Sequence, residues 1–119
     1  MQRISEFRKS FSYALRGLKY ALKNEKNFQN EMAIGIIVIA ATIYFRVTRA
    51  EMIILIIIII VVLIMELLNT IMERVVDILK PGVHPYVRLI KDLMAASVLL
   101  ASILAIIVGL IIFIPYILK

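Results

Sequence analysis

Three uncharged apolar runs, at residues 32–45, 52–65 and 93–118, constrain the fold of this chain most. The first two contain 14 residues each and the third contains 26. A helix needs about 20 residues to cross a bilayer, so the two shorter runs must include flanking polar residues. Hydrophobic residues make up 63% of the 119-residue chain, which leaves too few polar side chains to cover a water-soluble fold. We predict an all-α membrane protein, a single domain over residues 1–119 with spans at about 28–47, 51–72 and 93–118.

The segment before the first run has the pattern of a surface helix. Its apolar side chains recur at spacings of three and four residues and share one helical face: Ile4, Phe7, Phe11, Leu15, Leu18 and Leu22. Basic side chains occupy much of the remaining surface of this helix. This pattern predicts an amphipathic helix over residues 1–24 that lies on anionic headgroups. The alternative is a helix packed on a soluble partner. The net charge of +6 is attributed to the membrane surface rather than to nucleic acid.

Lysine and arginine are distributed unevenly between the two sides of the predicted spans. Residues 1–31 contain seven, and residues 73–92 contain Arg74, Lys80, Arg88 and Lys91. The 46–51 turn contains two. The positive-inside rule therefore places residues 1–31 and 73–92 in the cytoplasm, with residues 46–51 and Lys119 outside. A cleavable signal peptide is not expected, because the first apolar run begins only at residue 32.

A polar stripe follows the second apolar run at spacings of three, four and four residues: Glu66, Asn69, Glu73 and Asp77. These spacings place the four side chains on one face of a helix. Clustered carboxylates repel one another unless a cation neutralises them, and oxygen ligands suit Mg²⁺. Glu66 directly follows fourteen apolar residues, and an acid at that depth indicates function.

Three residues of the stripe also fit purely structural roles. Glu73 and Asp77 would suit a solvated face paired with Arg74 and Lys80. Asn69 would suit a hydrogen bond between helices.

Further polar residues are predicted at the same membrane boundary. Lys91 begins the third span and can meet a phosphate as a point charge, although an ordinary interfacial anchor is the alternative. Glu25 and Glu31 flank the start of the first span. The chain has no cysteine, one histidine and no phosphate-binding loop of the G-x-x-x-x-G-K-[ST] type. Together these residues predict transfer of phosphate from ATP to a lipid hydroxyl, with a carboxylate as base.

Three ordered blocks resemble the prokaryotic diacylglycerol kinase family, which includes the undecaprenol kinases. Residues 66–77, ELLNTIMERVVD, are similar to the family signature E-x-x-N-[ST]-x-x-E-x-x-x-D. The second block is Lys91-Asp92 with AASVLL at 95–100. The third comprises SFSYA at 10–14, GL at 17–18, Asn24-Glu25 and Glu31. The resemblance covers nearly the whole chain.

The resemblance implies roles for individual residues. It implies that Glu66 is the catalytic base and that Asn69 belongs to the catalytic site. Mg²⁺ ligands would be Glu25 and Glu73. ATP contacts would come from these two carboxylates and from further residues: Tyr13, Asp77, Gly82, Val83, His84, Lys91 and Asp92. Lipid contacts would come from the surface helix, Glu31 and Glu66.

The resemblance also implies assembly, location and substrate. The family consists of homotrimers with active sites between subunits, in the bacterial inner membrane. Glu6 stands where some members have an arginine near ATP, so that role is not transferred. The SFSYA segment and His84-Pro85 are more similar to Gram-positive members, which favours undecaprenol over diacylglycerol as the acceptor. The alternative functions are a small multi-span transporter and a pore-forming protein without kinase activity.

Overall fold

The computed structural model describes residues 1–79 and 85–119, which form four α-helices. These are α1 (Gln2–Asn24), α2 (Lys26–Phe45), α3 (Arg49–Leu79) and α4 (Pro85–Ile117). The described residues contain no strand, so the all-α prediction is confirmed. Helices α2, α3 and α4 are each long and apolar enough to cross a membrane.

A single extended residue separates α1 from α2. Glu25 has φ −107° and ψ 106°, and its backbone N–H still donates to the carbonyl of Ala21. The break changes the direction of the chain without a loop. The apolar face of α1 stays largely exposed, with Ile4 at 66% and Phe7 at 72%. A face of this kind suits a lipid surface, and the position of α1 on the membrane stays a prediction.

The turn between α2 and α3 contains residues 46–48. Arg46 ends α2 in the left-handed conformation, with φ 54°, and its N–H donates to the carbonyl of Thr42. Thr48 and Glu51 then cap α3 reciprocally: the Thr48 N–H donates to Glu51 Oε1 at 2.9 Å, and the Glu51 N–H donates to Thr48 Oγ1 at 3.1 Å. This capping box satisfies donors at the start of α3 that have no partner within the helix.

Helix α3 lies between α2 and α4 and packs on both, while α1 packs on α2. The core near the α1–α2 junction contains Ala21, Phe28 and Leu63. Further along, α2 approaches α3 closely at Gly35, where an added Cβ would lie 3.0 Å from Ile59 Cγ2. At the opposite end, the Tyr116 hydroxyl donates to Glu51 Oε1 at 2.5 Å and joins α4 to α3.

Most apolar side chains of the long helices do not pack within the chain. Few residues in the most apolar stretches of α2, α3 and α4 are buried within the chain. Exposure of so many isoleucine and leucine side chains to water would be strongly unfavourable. Lipid or further protein chains must therefore cover these faces.

Two helices extend beyond the predicted spans. Helix α3 continues to Leu79, past the predicted boundary at residue 72, and α4 begins at Pro85, before residue 93. Intrahelical hydrogen bonds continue wherever the sequence permits a helix, so helix ends do not mark membrane boundaries. Pro85 suits the first position of α4 because its missing N–H would have no helical partner there.

Candidate functional site

The polar stripe of α3 begins with a buried acid. Glu66 is 6% exposed, although it follows a run of isoleucine, valine and leucine. One turn later, the Thr70 hydroxyl donates to the Glu66 backbone carbonyl at 3.1 Å. Asn69 Nδ2 donates to Glu73 Oε1 at 3.3 Å, so the amide orients the next carboxylate of the stripe. The structure therefore brings Glu66, Asn69 and Glu73 onto one face, as their spacing predicts.

Carboxylates from two other positions join this face. Glu25, Glu31 and Glu73 all lie near Glu66. We call Glu25, Glu31, Glu66 and Glu73 the acidic cluster. Within residues 1–79 and 85–119, no ion pair involves Glu66. A carboxylate without an ion-pair partner among these residues can act as a general base or lie beside a cation.

Arg74 contacts the acidic cluster by pairing with Glu25. Arg74 Nη2 lies 2.6 Å from Glu25 Oε1, and this ion pair joins α3 to the α1–α2 junction. Tyr20, in the last turns of α1, also lies near Arg74. The sequence left open a structural role in which Arg74 pairs locally with Glu73 or Asp77. That prediction is wrong for Arg74. Its partner lies 49 residues away in the chain.

Lys91 meets the far end of the polar stripe. Its Nζ lies 2.8 Å from Asp77 Oδ1 and connects the start of α4 to the last turns of α3. The next residue, Asp92, pairs instead with Arg88 at 3.5 Å, and both side chains are largely exposed. Lys91 therefore lies beside the polar stripe, whereas Asp92 pairs within α4.

Tyr13 lies apart from the acidic cluster. It is 61% exposed on α1, and the Arg16 guanidinium lies 5.6 Å from its ring centroid. The described contacts do not bring Tyr13 to Glu25 or to α3. The predicted ATP contacts at Gly82, Val83 and His84 lie outside the described residues.

An apolar groove of about 410 Å³ runs between α2 and α4, with α3 as its floor. Glu31 is its one charged lining residue among those described. Since α2 and α4 run in the same direction, the groove extends from Glu31 towards Phe113. At Gly109 an added Cβ would meet no atom within 4 Å, so this glycine borders open space rather than a packed helix. The groove therefore connects the acidic cluster with the opposite end of the helices.

The oxygen donors of the acidic cluster are of the type that Mg²⁺ prefers. Among the described residues, no group of three histidine, cysteine or acidic side chains has the arrangement of a metal site. Mg²⁺ is usually held by one or two carboxylates together with substrate phosphates and water. Glu25 and Glu73 are carboxylates of this kind: Asn69 donates to Glu73, and the Arg74 contact leaves Glu25 one oxygen free of that ion pair.

Sequence reasoning missed Arg74, Tyr20 and the groove. The signal available for Arg74 was its position next to Glu73 in the signature. For Tyr20 the signal was its position one helical turn before Asn24-Glu25. The groove had a weak signal in the small residues Ala105 and Gly109, both of which line it.

Comparison with known proteins identifies relatives over most of the chain. The sequence model of prokaryotic diacylglycerol kinase matches residues 12–113. An undecaprenol kinase of Bacillus subtilis is 32% identical over 112 residues, covering 94% of this chain and 91% of that protein. A diacylglycerol kinase of Synechocystis is 36% identical over 101 residues, covering 84% of this chain and 58% of that protein. A diacylglycerol kinase of Haemophilus influenzae is 38% identical over 92 residues, covering 77% and 78%.

Proposed function

Because this chain belongs to the prokaryotic diacylglycerol kinase family and is a lipid kinase, we propose that it transfers the γ-phosphate of ATP to a membrane lipid alcohol. The reaction takes place at the cytoplasmic face of the bacterial inner membrane and requires Mg²⁺. The observation that carries this proposal is the buried Glu66 within the acidic cluster, next to an apolar groove.

Glu66 is the base in the proposed reaction. The lipid hydroxyl oxygen attacks the γ-phosphorus, its proton passes to a carboxylate oxygen of Glu66, and the bond to the ADP oxygen breaks. Mg²⁺ held by Glu25 and Glu73 would neutralise the phosphate charge. Asn69 keeps Glu73 in position by its hydrogen bond.

ATP is proposed to lie beside the polar stripe on the cytoplasmic side of Glu66. Lys91 would contact its phosphates as a point charge. Further contacts are proposed from residues that the resemblance implies: Tyr13, Asp77, Asp92, Gly82, Val83 and His84. Tyr13 is remote from the cluster within one chain. We therefore also propose a homotrimer, in which a neighbouring protomer completes each site.

The lipid acceptor is proposed to approach Glu66 past Glu31. Glu31 belongs to the acidic cluster and also lines the apolar groove, so a hydroxyl at Glu31 can have its hydrocarbon tail in contact with the helices. Undecaprenol is the proposed acceptor, since the relative that is an undecaprenol kinase aligns over 91% of its own length. Diacylglycerol is the second candidate, because two relatives are diacylglycerol kinases.

Radiolabelled phosphate transfer tests the proposal. Purified protein in mixed micelles receives labelled ATP and either undecaprenol, diacylglycerol or a lipid without a hydroxyl. Label should be transferred fastest to undecaprenol. Transfer should stop when a chelator removes divalent ions and resume with added Mg²⁺. Transfer to none of the alcohols would favour a transporter or a pore, the alternative functions. Undiminished transfer in chelator would refute the role of the metal.

A further inference from the structure

The Arg74 guanidinium forms an ion pair with Glu25, a carboxylate that is also proposed to bind Mg²⁺. Its Nη2 lies 2.6 Å from Glu25 Oε1. Glu25 is a proposed Mg²⁺ ligand, and Arg74 directly follows Glu73, the second proposed ligand. A guanidinium and a metal ion compete for the same carboxylate charge. The contact between Arg74 and Glu25 must therefore weaken when metal and nucleotide bind.

The two partners differ in their freedom to move. The Glu25 side chain is 19% exposed and lies at the junction of α1 and α2, whereas the Arg74 side chain is 56% exposed. Arg74 is thus a long side chain on a fixed helix with solvent on one side. When Glu25 turns to the metal, the guanidinium remains within reach of the same space, where the triphosphate of ATP brings negative charge. Arginine matches phosphate oxygens with two parallel hydrogen bonds.

We propose that Arg74 is a phosphate-binding residue, held on Glu25 in the absence of nucleotide and transferred to the ATP phosphates when Mg²⁺ takes Glu25. This inference rests on the proposed function, since it requires ATP and a metal at the acidic cluster. The alternative is that Arg74 only fastens the α1–α2 junction to α3.

Equilibrium binding, measured without turnover, tests this assignment. The protein in detergent is titrated with a non-hydrolysable ATP analogue in excess Mg²⁺, and separately with Mn²⁺ alone, followed by its electron spin resonance. Arg74→Gln should bind the analogue about 10- to 100-fold more weakly, the loss expected for a charged hydrogen bond to phosphate. The same variant should bind Mn²⁺ more tightly than the wild type, because the competing cation is gone. Arg74→Lys should bind the analogue with intermediate affinity.

A matched control separates phosphate binding from general charge effects. Lys26 is exposed and lies next to Glu25, so Lys26→Gln removes a positive charge from the same neighbourhood without touching the Glu25–Arg74 pair. It should change both affinities less than about threefold, by the screening of exposed charges.

Wild-type affinity of Arg74→Gln for the analogue, or weaker Mn²⁺ binding, would overturn the assignment. If Arg74→Gln does not fold, the affinity of Arg74→Lys for the analogue is the test. Wild-type affinity of Arg74→Lys would then overturn the assignment. Wild-type protein that neither binds the analogue nor transfers phosphate would instead refute the proposed function and this inference with it.

Discussion

Lys91 and Asp77 join the start of α4 to the last turns of α3 through a contact of 2.8 Å between ammonium and carboxylate. Both side chains remain partly exposed, 36% for Lys91 and 48% for Asp77. An exposed pair of this kind contributes little to stability. The pair therefore costs little to break, which is compatible with the proposed contact of Lys91 with ATP.

Loss of the Lys91 charge should weaken ATP binding selectively. Lys91→Met should raise KM for ATP about tenfold or more, since a charged contact to phosphate is lost, and should leave KM for the lipid nearly unchanged. Steady-state phosphate transfer at varied ATP measures the effect. Arg88→Met is the control, because Arg88 lies on the same helix and its side chain is 84% exposed. Equal changes in both variants would contradict a specific role for Lys91.

Removal of the proposed base should abolish turnover without unfolding the protein. Glu66→Gln keeps the shape of the side chain and should lower kcat by about 10²–10⁴-fold, the usual share of general-base catalysis. KM for ATP and for lipid should change far less. Thermal stability in detergent should stay level or rise, because a buried charge is removed. Glu51→Gln makes the same substitution at the opposite end of α3 and should retain activity. Near-normal turnover of Glu66→Gln would exclude Glu66 as the base.

The contact between Glu51 and Tyr116 should stabilise the opposite end of the helices. Tyr116→Phe removes only the hydroxyl that donates to Glu51, and should lower the midpoint of unfolding. Glu51→Gln should also lower it, since the capping box with Thr48 loses its charged acceptor. The double variant should be less destabilised than the sum of the single variants, because both remove one interaction. Strictly additive effects would show that the pair is not coupled.

A tight helix contact distinguishes Gly35 from Gly109. A Cβ at Gly35 would lie 3.0 Å from Ile59 Cγ2, so Gly35→Val should destabilise the protein by about 1–3 kcal/mol through overpacking. A Cβ at Gly109 meets nothing within 4 Å, and Gly109→Val should change stability by less than about 0.5 kcal/mol. Reversible unfolding in detergent compares the two. Equal losses would mean that Gly109 is packed in the assembled protein.

The proposed orientation can be tested by labelling, because the chain contains no cysteine of its own. A cysteine replacing Arg88 should react only with reagent on the cytoplasmic side, and a cysteine replacing Lys119 only with reagent on the outer side. This outcome follows from the distribution of basic residues across three spans. Reaction of the cysteine at 119 from the cytoplasmic side alone would refute the three-span arrangement.

The helices were predictable from sequence because their signal is local. Long apolar runs require regular backbone hydrogen bonding in lipid, and the periodicity of residues 1–24 separates an apolar from a basic face. Glu66 was predictable as a candidate functional residue, since an acid directly after fourteen apolar residues is costly in lipid. Helix ends were less predictable, as α3 and α4 continue into polar sequence beyond residues 72 and 93.

Contacts between distant helices were not predictable in this way. The pairing of Arg74 with Glu25 depends on the angle between α1 and α2 at one extended residue, and nothing local to Arg74 encodes it. The groove depends on the spacing of α2 and α4 over α3. Residues 52–65 are apolar on every face of the helix, so their sequence does not show which side packs and which side borders open space.

The turn of residues 46–48 has a consequence for how the protein meets its surroundings. Its ends are fixed by the left-handed Arg46 and by the Thr48–Glu51 capping box, so it has no slack to extend. In the proposed orientation, this turn is most of what the chain presents outside the cell between its first and last helices. A protease needs a stretch of chain that can leave the surface. In that orientation, a protease acting from the outside would find little extended chain to cleave at this turn.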